Sequence, residues 1–257
     1  MFTKIPVPNF LRHEIFKRVC ANQNIAVISY PKSGRSWLRV MLNECGWRGN
    51  FFHAGSEYAL KTDYQNVDAE MDKFYNSKII FLCRDPRDLT VSYYFQAVHR
   101  KEIFQGGIDD FIRSSEFGIR KACAFNVAWL SSFNQFKGFF FLKYENMKRD
   151  PFLELNYLLN FIGLNSMSDR QIKKVVEDCK FENMKKRERD GLLSELYPGI
   201  FGKVNNSNES YKVRKGNVGG YTEYLSQNDI DYCNCIMADY GYNPDKLNVI
   251  ENLSVHI

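Results

Sequence analysis

The sequence predicts an α/β protein of three layers, α/β/α, with a central, mostly parallel sheet. Two observations carry this. Short β-rich runs recur along the chain, each closed by a turn and followed by a helical pattern, and such alternation builds a parallel sheet covered on both faces. The strand candidates are also apolar throughout rather than alternating, as strands buried on both faces are. With 257 residues, the chain reads as one domain over residues 1–257, long enough to bury a sizeable core.

The elements follow in order. Ile25 to Ser29 (IAVIS) is a buried strand, closed by Pro31, Ser33 and Gly34. Trp37, Leu38, Met41, Leu42 and Cys45 then recur at the spacing of one helix face. Phe51-Phe52 marks a strand end just before His53. Lys78 to Cys83 (KIIFLC) is the second clear strand, turned by Arg84-Asp85-Pro86-Arg87-Asp88 into a helix over Leu89 to Val98. Pro86 suits the first turn of that helix, where a missing N–H costs nothing. Lys121 to Phe136 reads as a helix, and Phe139 to Leu142 as a third strand running into Lys143-Tyr144-Glu145. Asp150-Pro151 opens an amphipathic helix that stops near Gly163, and Gln171 to Cys179 is a further helix. The run Lys185-Lys186-Arg187, broken by Glu188, reads as a solvated helix face. Asp190 to Val213, with three glycines, a proline and Asn205-Asn206-Ser207-Asn208, reads as a long mobile loop, a candidate lid.

Composition narrows the function. Hydrophobic residues make up 44% and charged residues 25%, the balance of a soluble globular protein. A net charge of +5 suits an anionic small ligand and is too small and dispersed for nucleic-acid binding. No apolar run approaches the roughly 20 residues of a membrane span, and the charged first twenty residues do not read as a signal peptide. The seven cysteines, odd in number and without paired spacing, read as free thiols in a reducing, cytoplasmic setting rather than as a metal site.

The chemistry concentrates in a few segments. Tyr30-Pro31-Lys32-Ser33-Gly34-Arg35-Ser36-Trp37 joins a strand to a helix through a short glycine-containing loop. That arrangement aims backbone N–H groups and a helix N-terminus at an anion. Lys32 adds a cation, and Ser33 and Ser36 add hydroxyls. The fold expected around it is P-loop-like. The nucleotide-kinase pattern itself is not met, because Lys32 precedes Gly34 and the first glycine is missing. Downstream, Arg84 closes a strand and Ser92 lies eight residues further on, a guanidinium fork and a hydroxyl suited to a phosphate dianion.

The first segment resembles the 5'-phosphosulfate loop of sulfotransferases that use 3'-phosphoadenosine 5'-phosphosulfate (PAPS). The second, Phe81 to Tyr94, resembles the 3'-phosphate segment of that family, with Arg84 and Ser92 at its spacing. Three weaker matches follow in family order. Lys143-Tyr144-Glu145 resembles the segment whose Tyr contacts adenine, and Phe181-Glu182-Asn183-Met184 the segment whose Phe stacks on the base. Cys179-Lys180 stand where the family usually has Thr-Ser. Arg214-Lys215-Gly216 resembles the Arg-Lys-Gly contact to the 3'-phosphate, departing at Gly220 and Tyr221, where the family has Asp and Trp.

The resemblance implies a sulfotransferase moving a sulfuryl group from PAPS to an acceptor hydroxyl and releasing 3',5'-ADP (PAP), without a metal. The implied donor contacts are Pro31, Lys32, Ser33, Gly34, Arg35, Ser36, Trp37, Arg84, Ser92, Tyr144, Phe181, Arg214, Lys215 and Gly216. The implied acceptor is a small molecule, an alcohol, a lipid or a glycan, with neither nucleic acid nor stable membrane insertion. Many members carry a His base in a Lys-Thr-His stretch; Lys61-Thr62-Asp63 stands about where it belongs. Asp63 is therefore the first candidate base and His53 the second, with Lys32 and Lys61 as active-site cations. A PAPS- or PAP-binding protein without transferase activity and a P-loop kinase of a small alcohol are the competing readings.

Overall fold

A computed structural model describes residues 24–54, 70–202 and 208–242. Four strands form one sheet: β1 (Ile25–Ser29), β2 (Asn50–Phe52), β3 (Lys78–Cys83) and β4 (Gly138–Lys143). Their order is β2-β1-β3-β4, and every pairing is parallel, with Ala26 opposite Asn50, Val27 opposite Ile80 and Phe81 opposite Phe141. The expected mostly parallel sheet is wholly parallel among the described residues.

The period of two along each strand divides the core. Ala26, Ile28, Ile79, Phe81, Phe139 and Phe141 face one layer, packed on α2 (Pro86–His99), α4 (Ile119–Ser131) and α10 (Gln227–Asp239). Ile25, Val27, Ile80, Leu82, Phe140 and Leu142 face the other, packed on α1 (Arg35–Glu44), α6 (Pro151–Phe161) and α7 (Asp169–Asp178). The uniformly apolar runs are thus strands covered on both faces. The first layer is unusually aromatic: Phe81 stacks near-parallel on Trp129, Phe139 and Phe141 at centroid distances of 6.2, 5.9 and 6.4 Å.

Local chemistry sets the boundaries. Asp85 caps α2 by accepting from the Arg87 N–H, with Pro86 at the first position. Asp150 caps α6 in the same way, again followed by proline. The chain helical over 121–136 in the sequence reading breaks sooner: α4 ends at Ser131, and a single 3-10 turn, Phe133–Gln135, leads into β4.

Two expectations need correcting. The segment 190–213 is not a bare loop: it holds α9 (Leu192–Leu196) and a 3-10 turn at Asn208–Ser210, and it buries Leu193 and Phe201. The basic run belongs to α8 (Phe181–Arg189), but Glu188 within it is only 2% exposed. Its carboxylate accepts from the N–H groups of Gly202, Lys212 and Val213. From the other side Arg100 donates to the carbonyls of Ile200, Gly202 and Ser210. The segment is stapled down by two buried charges, a fully hydrogen-bonded arrangement of the kind a low-dielectric interior requires.

Candidate active site

All parallel strands present their C-terminal ends to one side, where an open α/β sheet collects its ligands. The loop after β1 lies there, between the ends of β2 and β3. Its backbone turns sharply: Lys32 and Gly34 have φ of 74° and 101°. A side chain at Gly34 would meet the Tyr144 ring at 2.6 Å, so glycine alone permits this approach. Gly34 is also the N-cap of α1, and its carbonyl accepts from Trp37 and Leu38.

Lys32, Gly34, Arg35, Ser36 and Trp37 line one cavity together with His53, Arg84, Ser92, Tyr144, Phe181, Arg214, Lys215 and Gly216. Pro31 and Ser33, also expected at the site, do not line it. Ser33 is fully buried and its hydroxyl turns back to donate to the Tyr30 carbonyl at 3.0 Å, closing the turn instead of facing a ligand. Lys61 and Asp63 lie outside the described residues.

On the β3–β4 side of the loop the cavity is aromatic and cationic. Arg84 is buried, with its guanidinium 4.3 Å from the centre of the Tyr144 ring. It donates to the carbonyls of Lys32 at 3.3 Å and Asn217 at 2.9 Å, and Asp88 stands 3.7 Å away. The Arg84 Nε is buried with no partner in the structure, which fits a site built to receive an acceptor atom. The Tyr144 hydroxyl donates to the Gly216 carbonyl at 2.9 Å. Trp37, its indole N–H on the Cys179 carbonyl at 2.8 Å, meets the Tyr144 ring edge-on. Phe181 crowds Gly216, where a Cβ would come within 3.0 Å of the ring.

The Arg-Lys-Gly segment is anchored by groups outside the motif. Asp88 accepts from the N–H groups of Gly219 and Tyr221 at 2.8 and 2.9 Å, and the Arg87 guanidinium lies 4.3 Å over the Tyr221 ring. Burial, partly opposed by Arg84, raises the Asp88 carboxyl above its ordinary range. Arg214 stacks 3.8 Å over Phe95 and donates to the Tyr224 hydroxyl. Lys215 pairs with Glu223 at 2.6 Å on the exposed rim.

At the other end sits His53, immediately after β2. Its Nδ1 lies 2.6 Å from the Ser29 carbonyl. A carbonyl only accepts, so Nδ1 carries the proton and Nε2 keeps its lone pair. Burial pushes the ring down to about 3, and Arg35, then Lys212 and Arg39, push the same way against the Ser29 hydrogen bond. Lys32 is driven well below its ordinary value by burial, Lys212, Arg84, Arg100 and Arg214.

Sequence reasoning missed Lys212 and Gln96. Both line the cavity, and the Gln96 side-chain carbonyl accepts from Lys32 Nζ at 3.2 Å and Lys212 Nζ at 3.3 Å. Gln96 stands one helical turn after Ser92, a spacing that could have nominated it. Lys148 was missed too; its ammonium lies 5.8 and 5.7 Å from the Trp37 and Phe181 rings.

Chemically, the arrangement offers cations and backbone donors for a polyanion, an aromatic slot for a flat ring, and a neutral imidazole at the far end. Among the described residues no His, Cys, Asp or Glu cluster could hold a metal ion, and no helix is long and apolar enough to cross a membrane.

Residues 70–242 match the family model of the sulfotransferase domain. Sulfotransferase 1E1 of Bos taurus is 23% identical over 249 residues, covering 83% of this chain and 82% of the relative. Sulfotransferase 1C2 of Rattus norvegicus is 24% identical over 265 residues, covering 87% and 84%. Among solved structures, mouse sulfotransferase SULT7A1 complexed with PAP superposes with a TM-score of 0.65 at 17% identity, covering 91% of this chain and 89% of that one.

Proposed function

The chain belongs to the sulfotransferase domain family, and we propose that it carries out PAPS-dependent sulfuryl transfer with His53 as general base and Lys32 at the leaving phosphate. The protein is a PAPS-dependent sulfotransferase: it takes a sulfuryl group from PAPS and releases PAP. The residue assignments rest on one observation, a single cavity that joins the Arg84–Tyr144 slot to His53 across the loop after β1.

The slot suits the nucleotide. Arg84 and Ser92 would face the 3'-phosphate with Arg214 and Lys215, while Trp37, Tyr144 and Phe181 would enclose adenine. Gly34 and Ser36, at the N-terminus of α1, would meet the 5'-phosphosulfate along with Lys32, whereas the Arg35 side chain lies towards His53. In the transfer, the acceptor oxygen bonds to sulfur as the bond from sulfur to the bridging phosphate oxygen breaks. The acceptor proton passes to Nε2 of His53. The negative charge gathering on the departing phosphate is met by the Lys32 ammonium. Burial, then Arg35, Lys212 and Arg39, keep the ring unprotonated, so Nε2 is free to accept the proton.

The acceptor is proposed to be a small molecule bearing a hydroxyl, a glycan included. Free thiols at six described cysteines, five of them buried, support a cytoplasmic setting. Residues 1–257 are proposed to act as one domain. Sulfation assays with labelled PAPS on wild type, His53→Ala and Asp63→Ala test the assignment of the base. His53→Ala is expected to lose about 10²–10⁴ in kcat and to retain PAP binding. Full activity in His53→Ala with loss in Asp63→Ala would move the role to Asp63.

A further inference from the structure

Two cations of the cavity, Arg35 and Lys212, lie beside His53. The loop after β1 divides the site. Arg84 and Lys148 lie with the aromatic slot, while Arg214 packs over Phe95 and Lys215 over Tyr224. Arg35 and Lys212 lie with His53: they are the first and second charges that act on its ring. Helix geometry agrees, since Arg35 and Arg39 share one face of α1 at a spacing of four. Arg39 packs its guanidinium 4.4 Å over Phe51 of β2, so this face of α1 looks to the β2 edge and away from Tyr144.

Neither cation is neutralised in place. Among the described residues the Arg35 side chain has no hydrogen bond and no ion pair, and the charge that shifts it is another cation, Arg39. Burial, reinforced by Arg39, brings its guanidinium down to about 10. Among the described residues the Lys212 ammonium has one acceptor, the Gln96 carbonyl, which it shares with Lys32. Burial, then Arg100 and Arg35, pushes Lys212 down to about 8. The nearby carboxylate, Glu188, is already engaged by three backbone N–H groups, and Arg100 by three carbonyls. Among the described residues neither cation has an ion-pair partner, and Glu188 only partly offsets the charge around Lys212; two half-buried cations so placed are costly unless a ligand brings a counter-charge.

We infer that the acceptor of this sulfotransferase is itself an anion, an alcohol or phenol carrying a carboxylate or phosphate that Arg35 and Lys212 hold beside His53. This rests on the donor-site reading above. The anionic group is a handle and takes no part in bond making; it fixes the hydroxyl within reach of Nε2, and the transfer step is unchanged. A planar guanidinium and an ammonium together suit either a carboxylate or a phosphate.

Matched pairs of acceptors test the inference on the full chain. PAP affinity is first measured by calorimetry. Sulfation from PAPS is then followed for para-hydroxybenzoate against para-hydroxybenzamide, and for glycerol phosphate against glycerol. At least one anion is expected to exceed its neutral partner about tenfold or more in kcat/KM, the scale of one charge-assisted contact; which pair does so separates carboxylate from phosphate. Lys212→Gln is expected to bring that ratio within about threefold of unity, with PAP affinity changed less than about twofold, and Lys212→Arg to restore the preference. Equal rates within both pairs, or PAP-binding protein that turns over neither anion, would overturn the inference. So would a Lys212→Gln variant that loses PAP affinity in step with the anion preference, since Lys212 would then serve the donor. A wild-type chain that fails to bind PAP removes the donor-site reading first, and this inference with it.

Discussion

His53 is held neutral by burial and by neighbouring cations, and that has a measurable sign. Its pKa lies at about 3 against an ordinary 6.5. Between those values the unfolded chain binds a proton that the folded chain refuses, so this residue's contribution to stability is lost as pH falls through that window. Thermal denaturation at pH 7 and pH 5 should show wild type losing more stability on acidification than His53→Gln; equal losses would contradict the burial of the ring. Arg84 makes a second prediction. Its Nη groups span two carbonyls from different loops, on Lys32 and Asn217. Arg84→Ala should weaken PAP binding roughly 10–100-fold, the range for charge-assisted hydrogen bonds. Arg84→Lys should recover little, since one ammonium cannot reproduce the fork; an unchanged PAP affinity in Arg84→Ala would remove Arg84 from the donor site. At this scale much of the cavity lining was legible, because motif spacing nominates Lys32, Arg84, Ser92, Tyr144 and Phe181, which line one cavity. Lys212 was not, because nothing in local spacing brings a residue two positions before Arg214 to the same amide as Lys32. His53 was legible only as a runner-up, since a three-residue strand such as β2 leaves almost no pattern to read.

Elements explain why the loop tolerates so little. Gly34 combines a φ of 101° with a Cβ position 2.6 Å from the Tyr144 ring. Gly34→Ala should cost about 1–3 kcal/mol from backbone strain alone. The expected drop in melting temperature is roughly 2–10 °C, and PAP binding should be lost as the loop shifts. A variant that melts and binds as wild type would contradict this reading of the turn. The stapled segment offers the complementary experiment. Removing the Glu188 carboxylate leaves the N–H groups of Gly202, Lys212 and Val213 without an acceptor. Glu188→Ala should cost at least about 2 kcal/mol, given the price of orphaned buried donors. Amide exchange at Lys212 and Val213 should accelerate ahead of exchange in β1 and β3. Unaltered protection there would show that the staple is not what holds the segment. Strands and long helices were legible because apolar runs and caps are local signals. The staple was not: Glu188 sits in the sequence Lys185-Lys186-Arg187-Glu188-Arg189, which reads as a solvated face, and only tertiary packing makes its one acid the buried member.

For the molecule as a whole, one sheet separates two apolar layers, and β1, β3 and β4 each contribute to both. Such a core should melt as a single cooperative unit. Calorimetry should show one transition, raised by PAP; at a PAP concentration of 100 Kd the linkage amounts to about 2.7 kcal/mol. Two transitions, with only one responding to PAP, would argue against a single domain. The layering was legible from composition and periodicity, whereas the side-by-side order β2-β1-β3-β4 depends on long-range pairing that no single stretch records. The shared amide of Gln96 has a practical consequence. Two ammonium groups converge on one neutral oxygen, in a cavity where lysines and arginines far outnumber acids. Such a cavity will take up any small oxyanion the solution offers. Phosphate or sulfate buffers should therefore act as competitive inhibitors and flatter the thermal stability of the protein, and weak acceptors will register only in assays buffered by cations or zwitterions at low salt.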